Sequence, residues 1–206
     1  MAYKRRKIMR GKKLYLAKKE VRKTVRAKAE TLPPTYYKDA GLAMTRLIRD
    51  WPGFREARSV LAFMPIKGEV DILPMVREIL EAGKTLYLPR VDSTKKGLMS
   101  AVEVASLDDL VSGTWGIREP AKDKPAASPQ AIDLVIVPCL AASRDGLRMG
   151  KGGGFYDRFM KGYRGETILL CPEAFILDRV PMGYFDIAYS YVLTEEGIFK
   201  EGKQIL

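Results

Sequence analysis

The sequence contains an apolar stretch, IDLVIVP at residues 132–138, that leads into a basic, glycine-rich run, DGLRMGKGGGFYDR at residues 145–158. A continuous apolar run of this length predicts a strand that is buried on both faces, as in a parallel sheet. The second run predicts a loop followed by a helix, in which backbone N–H groups and cationic side chains can approach a ligand closely. This order of strand, loop and helix indicates a phosphate site in an α/β fold.

The glycine-rich loop matches neither of two common phosphate-binding motifs. The chain has no Gly-Lys-Ser or Gly-Lys-Thr, which the P-loop requires. The spacing of Gly150, Gly152 and Gly154 differs from that of the dinucleotide fingerprint, and the loop lies late in the chain. A mobile surface loop is the alternative interpretation. Against it stand the entropic cost of ordering adjacent glycines and the anchoring aromatic pair Phe155–Tyr156.

Apolar runs alternate with helical patterns along most of the chain. We predict helices over residues 12–31, 35–50 and 72–82, and a further helix from Phe155. The predicted strands cover residues 59–64, 84–88, 99–104, 132–137, 167–171 and 191–193. This alternation predicts an open, Rossmann-like α/β fold of three layers, with a mostly parallel sheet and helices on both faces. Residues 119–130, which are rich in proline and lysine, are predicted to form an exposed connector.

The charge of the chain predicts acidic ligands. We divide the 206 residues into a basic N-terminal extension, residues 1–13, and a single α/β domain, residues 14–206. The formal net charge is +11, and much of it lies in the extension. The extension is either a tail that binds nucleic acid or another acidic surface, or a solvated segment before the fold begins. The remaining positive charge suits a polyanionic small ligand such as a nucleotide or a polyglutamylated cofactor.

Several classes of function are excluded by composition. Histidine is absent, which excludes imidazole base catalysis, Ser-His-Asp and Cys-His systems, and histidine metal ligands. No apolar stretch reaches the ~20 residues that cross a bilayer, and the basic start lacks the apolar core of a secretory signal. We interpret Cys139 and Cys171 as buried thiols in a reducing compartment, not as a disulfide or a metal pair. We therefore expect a cytoplasmic protein with no membrane contact, either a monomer or a weak homo-oligomer.

Charged side chains at four places are candidates for ligand binding. Lys18 and Arg22 lie four residues apart on the first predicted helix, so they project from the same side, and an anion between them would relieve their repulsion. Glu69, in the turn PIKGEVD after the first strand, either favours the start of a helix or faces a ligand at the carboxyl edge of the sheet. Asp157 and Asp186 are candidate carboxylate ligands of a metal ion beside the phosphate.

An aromatic residue is placed in a loop, where it is poorly positioned for the core. Trp115 lies in the segment GTWGIREP at residues 113–120, between two glycines. An indole in such a position is a candidate wall for a flat heterocyclic ligand.

Taken in order, these features resemble the 5-formyltetrahydrofolate cyclo-ligase family, also called the methenyltetrahydrofolate synthetases. The resemblance covers about residues 16–196. It rests on a Lys-x-x-x-Arg pair, a glutamate after the first strand, a Trp/Gly-Ile-x-x-Pro segment and the signature Gly-x-Arg-x-Gly-x-Gly-x-Gly-Tyr-Tyr-Asp, of which the signature is the specific part. The matching residues are Lys18, Arg22, Glu69, Trp115, Gly116, Ile117, Pro120, Gly146, Arg148, Gly150, Gly152, Gly154, Tyr156 and Asp157, with Phe155 in place of the first tyrosine.

The resemblance implies ATP and Mg²⁺ as cofactors and a reduced folate as substrate. Mg-ATP would convert 5-formyltetrahydrofolate to 5,10-methenyltetrahydrofolate, with release of ADP and phosphate. The formyl oxygen attacks the γ-phosphorus of ATP, and N10 of the same folate then displaces phosphate. Such a reaction depends mostly on positioning and charge stabilisation, so it needs no histidine.

The resemblance also implies roles for individual residues. The implied ATP-binding residues are Lys18, Arg22, Arg148, Gly150, Lys151, Gly152, Gly153, Gly154, Phe155 and Asp157. The implied substrate-binding residues are Met64, Glu69, Trp115 and Tyr156, and the implied catalytic residues are Glu69, Arg148 and Tyr156. Asp157 and Asp186 are the implied metal ligands.

The chain departs from the family pattern at a few positions, which keeps other functions open. Ala142-Ser143 stands where Phe-Asp is common, Phe185-Asp186 where His-Asp is common, Asp178 where glutamine is usual and Ser190 where aspartate is usual. One alternative is another ATP-dependent ligase or kinase acting on a small acidic substrate. Others are a nucleic-acid-binding module that uses the basic surface and a catalytically inactive member that acts as a scaffold.

Overall fold

The structure of the protein, a computed structural model, describes residues 8–113 and 116–206. The helices of this part of the chain are α1 (Gly11–Ala29), α2 (Tyr36–Asp50), α3 (Pro52–Glu56), α4 (Leu73–Glu81) and α5 (Phe155–Phe159). Short 3-10 helices lie at Leu107–Asp109, Pro129–Ala131 and Glu173–Phe175. Proline marks several helix starts, since Pro52 and Pro74 occupy first-turn positions where the missing N–H is not needed.

The strands alternate with these helices. They are β1 (Ser59–Leu61), β2 (Thr85–Val91), β3 (Met99–Val104), β4 (Val111–Ser112), β5 (Arg118–Glu119), β6 (Ala126–Ala127), β7 (Leu134–Pro138), β8 (Ala141–Ala142), β9 (Arg148–Met149), β10 (Glu166–Leu170), β11 (Tyr191–Thr194), β12 (Gly197–Lys200) and β13 (Lys203–Gln204). In the described ranges, nine of them form one sheet in the order β13-β12-β11-β10-β7-β1-β2-β3-β6.

The centre of the sheet is parallel and its edges are antiparallel. Strands β11, β10, β7, β1 and β2 pair in parallel. Strands β3 and β6 extend one edge in antiparallel fashion, and β12 and β13 extend the other. The predicted α/β fold with a mostly parallel central sheet is confirmed. Strand β3 was predicted as a strand but not as antiparallel. Strands β6, β12 and β13 were not predicted, because such short segments have no distinctive residue pattern.

Successive residues of each central strand enter two separate cores, one on each face of the sheet. In β7, Leu134 and Ile136 pack with α2, α3 and α4, whereas Val135 and Val137 pack with α1 and α5. All four side chains are fully buried. The apolar run that opened the sequence analysis is therefore apolar on both faces because helices cover both faces.

The segment between β7 and α5 differs from the prediction. A direct passage from the buried strand into the glycine loop is wrong, because β8 and β9 pair into an antiparallel hairpin between them. Ser143 closes that hairpin: its hydroxyl donates to the carboxylate of Asp145 and accepts from the Leu147 N–H at 3.3 Å. The hairpin places Arg148 on a paired strand instead of a free loop.

The connector at residues 119–130 differs in part from prediction, whereas the boundary between the basic extension and the domain stays a prediction. The connector is mostly exposed, as predicted, but Ala126–Ala127 adds a strand to the sheet edge and Glu119 is buried. The predicted domain start at residue 14 falls within α1, and Met9 N–H donates to the Met182 carbonyl at 2.8 Å, so residues before 14 already contact the fold. No helix in the described ranges is long and apolar enough to cross a bilayer.

Candidate functional site

The predicted site residues gather at the carboxyl edge of the parallel strands. Strands β1 and β7 are neighbours, but the chain leaves β1 toward β2 on one side and reaches β7 on the other. Such a reversal of strand order opens a crevice at the carboxyl ends, where α/β folds bind ligands. The loop after β1 carries Glu69, and the loop after β7 carries the glycine-rich run.

The part of the glycine loop that leads into α5 depends on two residues with left-handed backbone. Gly152 has φ of +105° and Gly154 has φ of +69°, a region that other residues enter only at a cost. Gly154 is the residue that precedes α5. Because the chain turns at these two positions, the aromatic residues that follow enter α5 directly, and the loop is held at both ends.

Arg148 is the most fully anchored cation of the site. Its Nε donates to the Pro138 carbonyl at 2.8 Å, which holds it against the end of β7. Its guanidinium lies 5.3 Å from the centre of the Tyr156 ring, and Nη1 is 3.7 Å from Oδ1 of Asp157. Only 11% of the arginine side chain is exposed. The position is therefore fixed before any ligand binds.

Helix α1 brings two further cations to the same edge. Arg22 Nε donates to the Gly150 carbonyl at 3.1 Å, which joins the helix to the glycine loop. Lys18, one turn earlier, lies 2.5 Å from Oδ2 of Asp186. The same carboxylate oxygen accepts from the Gly183 N–H at 2.6 Å. Because Lys18 and Arg22 are four residues apart, both lie on the side of α1 that faces the glycine loop and the segment around Asp186.

Lys151 links the glycine loop to the loop after β1. Its Nζ is 2.6 Å from Oε1 of Glu69, and Oε2 of Glu69 accepts from the Ile66 N–H at 3.2 Å. Only 12% of the glutamate side chain is exposed. Of the two interpretations of Glu69, helix capping is not supported, since α4 begins at Leu73 and it is Asp71 that accepts from the Leu73 N–H.

A cavity of about 190 Å³ lies beside the Lys151–Glu69 pair. Its walls are formed by α1, by the ends of β7 and β10 and by the loop after β1. The sequence analysis did not identify the apolar residues that line it, among them Val25, Tyr37, Phe63 and Phe175. In the sequence, their apolar spacing is typical of core residues. They line the cavity only because elements that lie far apart in the sequence pack together.

Tyr156 is placed under the site instead of in the cavity. Its side chain is buried in the second core, and burial raises the pKa of its phenol far above the ordinary value of 10.0, partly offset by Arg148. Burial likewise raises the pKa of nearby Tyr189 to about 12. Neither hydroxyl finds a hydrogen-bond partner in the described part of the chain. Both phenols are neutral at physiological pH.

The other predicted residues lie in different surroundings. Met64 is half-buried against the first core, just beyond β1. Phe155 opens α5. Trp115, the predicted aromatic wall, lies outside the described residues.

The two predicted metal ligands have different partners. Asp157, with 31% of its side chain exposed, pairs with Arg148, whereas Asp186 pairs with Lys18. Among the described residues, no three acidic or cysteine side chains come together in a cluster that could hold a metal ion unaided. A cation at this edge would need ligands from a bound molecule as well.

A larger depression of about 620 Å³ lies at the opposite edge of the sheet. It is lined by Trp51, Arg58, Asp133, Glu166 and Tyr191, which stand before or at the start of helix α3 and of strands β1, β7, β10 and β11. None of the predicted site residues within the described ranges lines it. Size alone therefore does not locate the site, whereas the convergence of charged loops does.

The model of the 5-formyltetrahydrofolate cyclo-ligase family matches residues 14–195. The chain belongs to this family. A mitochondrial 5-formyltetrahydrofolate cyclo-ligase of Arabidopsis thaliana is 31% identical over 169 residues, which cover 75% of this chain and 61% of the plant protein. The 5-formyltetrahydrofolate cyclo-ligase of Escherichia coli K12 is 26% identical over 180 residues, which cover 85% of this chain and 99% of the bacterial protein.

Solved structures show the same fold. The solution structure of the 5,10-methenyltetrahydrofolate synthetase of Aquifex aeolicus superposes with a TM-score of 0.79 at 29% identity, covering 92% of this chain and 95% of that one. The synthetase of Mycoplasma pneumoniae superposes with a TM-score of 0.67 at 16% identity, over 86% of this chain and 98% of that one. The family relationship predicted from the glycine-rich signature is confirmed.

Proposed function

We propose that this member of the family catalyses the ATP-dependent cyclisation of 5-formyltetrahydrofolate to 5,10-methenyltetrahydrofolate, with release of ADP and phosphate. One observation carries the proposal. At one edge of the sheet, Arg22 of α1 contacts the glycine loop, and Lys151 of that loop contacts Glu69, a carboxylate that borders a partly apolar cavity. A phosphate donor and a flat organic acceptor can therefore lie next to each other. The cytoplasmic location and the oligomeric state stay predictions.

The triphosphate of ATP would lie along the glycine loop. Arg148, Lys151, Lys18 and Arg22 supply positive charge, and the amides of Gly152–Gly154 supply N–H donors. Charge-assisted hydrogen bonds to phosphate are worth about 1.5–3 kcal/mol each. Two of these cations, Arg148 and Arg22, are hydrogen-bonded to backbone carbonyls of the strand end and loop. Little ordering entropy is then lost when the nucleotide binds.

Mg²⁺ fits this site as a partner of the nucleotide. Magnesium is commonly held by one or two carboxylates together with phosphate oxygens and waters. Asp157, half-buried beside the glycine loop, is the carboxylate best placed for it, and Asp186 is the second candidate. The ion would neutralise phosphate charge that builds up during transfer. Asp157 would then exchange Arg148 for the metal ion, leaving the guanidinium to the phosphate.

The folate would occupy the cavity beside Glu69. At about 190 Å³ the cavity is smaller than the roughly 300–1,000 Å³ of complete small-molecule sites, so it suits the bicyclic ring and not the whole cofactor. Glu69 would accept hydrogen bonds from ring nitrogens, while Tyr37, Phe63 and Phe175 would contribute apolar walls. Substrate contacts from Met64, Phe155 and Trp115 stay predictions. Tyr156, buried beneath Arg148, would position that arginine.

Catalysis would follow from placement more than from proton transfer. Arg148 and Lys151 stabilise the charge of the γ-phosphoryl group as it passes to the formyl oxygen. Ring closure then joins two atoms of one bound molecule, so holding the folate in the reactive conformation supplies much of the rate enhancement. These steps require no imidazole, which agrees with the absence of histidine from the chain.

The direct test is a spectroscopic assay of the purified chain. Protein, Mg-ATP and 5-formyltetrahydrofolate are mixed, and the near-ultraviolet absorbance of methenyltetrahydrofolate is followed with an ATP-free control. We expect an ATP-dependent rise with equal amounts of ADP and methenyl product. ATP binding by calorimetry without any product would instead support another ATP-dependent ligase or kinase. If the chain without residues 1–10, which precede α1, keeps both its activity and its nucleotide binding, those residues have no role in either.

The departures from the family pattern that the structure describes do not obstruct the site. Ser143 serves the β8–β9 turn, as described above. Phe185 is 85% exposed, and Ser190 N–H donates to the Thr167 hydroxyl at 3.3 Å, next to β10. None of these side chains lines the cavity beside Glu69. They therefore give no reason to prefer a different acceptor substrate.

A further inference from the structure

The two cysteines of the chain occupy adjacent positions on neighbouring strands. Parallel strands β7 and β10 end with Pro138 opposite Leu170, and Cys139 and Cys171 are the first residues after the two strands. Neighbouring strands lie about 4.8 Å apart, within the range of Cα separations that a disulfide spans. This juxtaposition cannot be read from the sequence, in which the two residues lie far apart.

Both side chains point to the same face of the sheet. Cys171 is fully buried in the second core, and Cys139 packs against that core. The Cys139 thiol lies 3.3 Å from the Leu170 carbonyl, so it reaches across to the end of β10. Burial, and then the neighbouring Cys139 thiol, raise the pKa of Cys171.

The two thiols differ in access. Both are free, and Cys139 is half-buried and lines the cavity beside Glu69, whereas Cys171 has no exposed surface. A small oxidant that enters the cavity therefore meets Cys139 first. Cys171 is the residue opposite it in the strand register.

We propose that Cys139 and Cys171 form a reversible redox pair that reacts with hydroperoxides. The Cys139 sulfur attacks the terminal peroxide oxygen, forming an S–O bond and breaking the O–O bond, and water leaves when hydrogen peroxide is the oxidant. The Cys171 sulfur then attacks the Cys139 sulfur, forming the S–S bond and breaking the S–O bond, and a second water leaves. Two thiols lose two electrons, and hydrogen peroxide gains them.

The link would act on the phosphate site through the residue before Cys139. The Pro138 carbonyl accepts from Arg148 Nε, and the Leu140 N–H donates to the Met149 carbonyl at 2.8 Å. Cys139 thus lies in the segment that holds β9 and Arg148. A covalent bond between the two sulfurs would shift this segment, and displacements of about 1 Å near a reacting group can lower rates by up to about a hundredfold. This consequence rests on the proposed function, whereas formation of the disulfide does not.

The test compares reduced and peroxide-treated protein by non-reducing peptide mapping. After acid quenching, alkylation under unfolding conditions and trypsin digestion, we expect peptides 123–144 and 165–179 to be joined through Cys139 and Cys171. Dithiothreitol should separate them and restore both alkylation sites. Recovery of both cysteines in alkylated form after peroxide, or a link between two chains instead of within one, would overturn the proposal.

Two variants keep the test decisive. In Cys171→Ala, Cys139 should gain one oxygen atom, trapped by a sulfenic-acid reagent, and the linked peptide should vanish. In Cys139→Ser, Cys171 should stay fully alkylatable after the same treatment, because it is buried. Oxidation of Cys171 at an equal rate in Cys139→Ser would contradict the assigned order. If the wild-type chain converts folate, its turnover rate should fall roughly tenfold on oxidation and recover with dithiothreitol. If the chain has no such activity, peptide mapping still shows whether the disulfide forms.

Discussion

The ammonium group of Lys151 lies 2.6 Å from a carboxylate oxygen of Glu69, which joins the glycine loop after β7 to the loop after β1. The lysine side chain is 44% exposed and the glutamate 12% exposed, so water partly screens the pair and its effect on stability is small. Its importance is geometric. A residue proposed to bind phosphate and a residue proposed to bind folate orient one another, so binding at either position changes the partner available to the other.

Replacing Glu69 by Gln separates these two binding events. The amide keeps the size of the side chain but loses the charge that holds Lys151. We expect the rate with 5-formyltetrahydrofolate to fall about tenfold or more, since a buried hydrogen-bonding charge is worth about 1.5–3 kcal/mol. Binding of Mg-ATP should stay equal or tighten. Calorimetry with Mg-ATP and steady-state kinetics with folate measure the two effects, and Glu81→Gln, exposed on α4, is the matched control.

The Arg148→Ala substitution tests the phosphate site. The guanidinium is anchored by Pro138 and is only 11% exposed, so its loss leaves no other group in its position. We expect the KM for ATP to rise or kcat to fall tenfold or more, because charge-assisted phosphate contacts are worth about 1.5–3 kcal/mol. Arg77→Ala, on the exposed face of α4, should behave as the wild type. Unchanged ATP kinetics in Arg148→Ala would remove this residue from the site.

Asp157→Asn and Asp186→Asn test the proposed metal ligands. If each carboxylate holds Mg²⁺, both substitutions should raise the magnesium concentration at half-maximal activity, by about tenfold for a lost carboxylate ligand. The measurement is a magnesium titration at saturating ATP. If the magnesium requirement shifts in Asp157→Asn but not in Asp186→Asn, Asp186 is not a metal ligand. It then acts only through Lys18, with which it pairs at 2.5 Å.

The left-handed residue before α5 can be tested by Gly154→Ala. Gly154 has φ of +69°, and an added Cβ would lie 2.7 Å from Nη1 of Arg158. A left-handed alanine costs about 1–2 kcal/mol. Gly162→Ala is matched, since its φ is +84° and no atom would lie within 4 Å of its Cβ. Urea unfolding should show both variants destabilised, with activity lost only in Gly154→Ala; equal loss of activity in both would contradict a specific role of the loop.

Stability should fall at alkaline pH because of buried tyrosines. Burial raises the pKa of Tyr189 to about 12, against an ordinary value of 10.0. Below pH 10.0 the phenol is protonated in both the folded and the unfolded chain. Between pH 10.0 and about 12 the phenol is deprotonated in the unfolded chain but still protonated in the folded one. The free energy of unfolding therefore falls as pH rises through this range. Tyr189→Phe should reduce that fall.

Urea midpoints of wild type and Tyr189→Phe at about pH 8 and about pH 11 measure this effect. The variant also removes a buried hydroxyl with no hydrogen-bond partner in the described ranges, so it should be at least as stable as the wild type at the lower pH. Its advantage should grow at the higher pH. A stability difference between the variant and the wild type that shrinks with pH would contradict the raised pKa of Tyr189. Tyr184 is 70% exposed, so Tyr184→Phe should show no pH-dependent difference.

The α/β class, the family and the glycine loop could be predicted without a structure, because they depend on local residue patterns. Apolar runs identify buried strands, and the spacing of Gly152, Gly154 and Asp157 identifies the signature. Three relationships could not be predicted and appear only in the folded chain. Lys151 pairs with Glu69, and Arg148 donates to the Pro138 carbonyl. Cys139 lies opposite Cys171. These contacts arise because strands β1, β7 and β10 are neighbours in the sheet. The order of the strands is set by the packing of two cores against the sheet, and no local residue pattern at these positions indicates it.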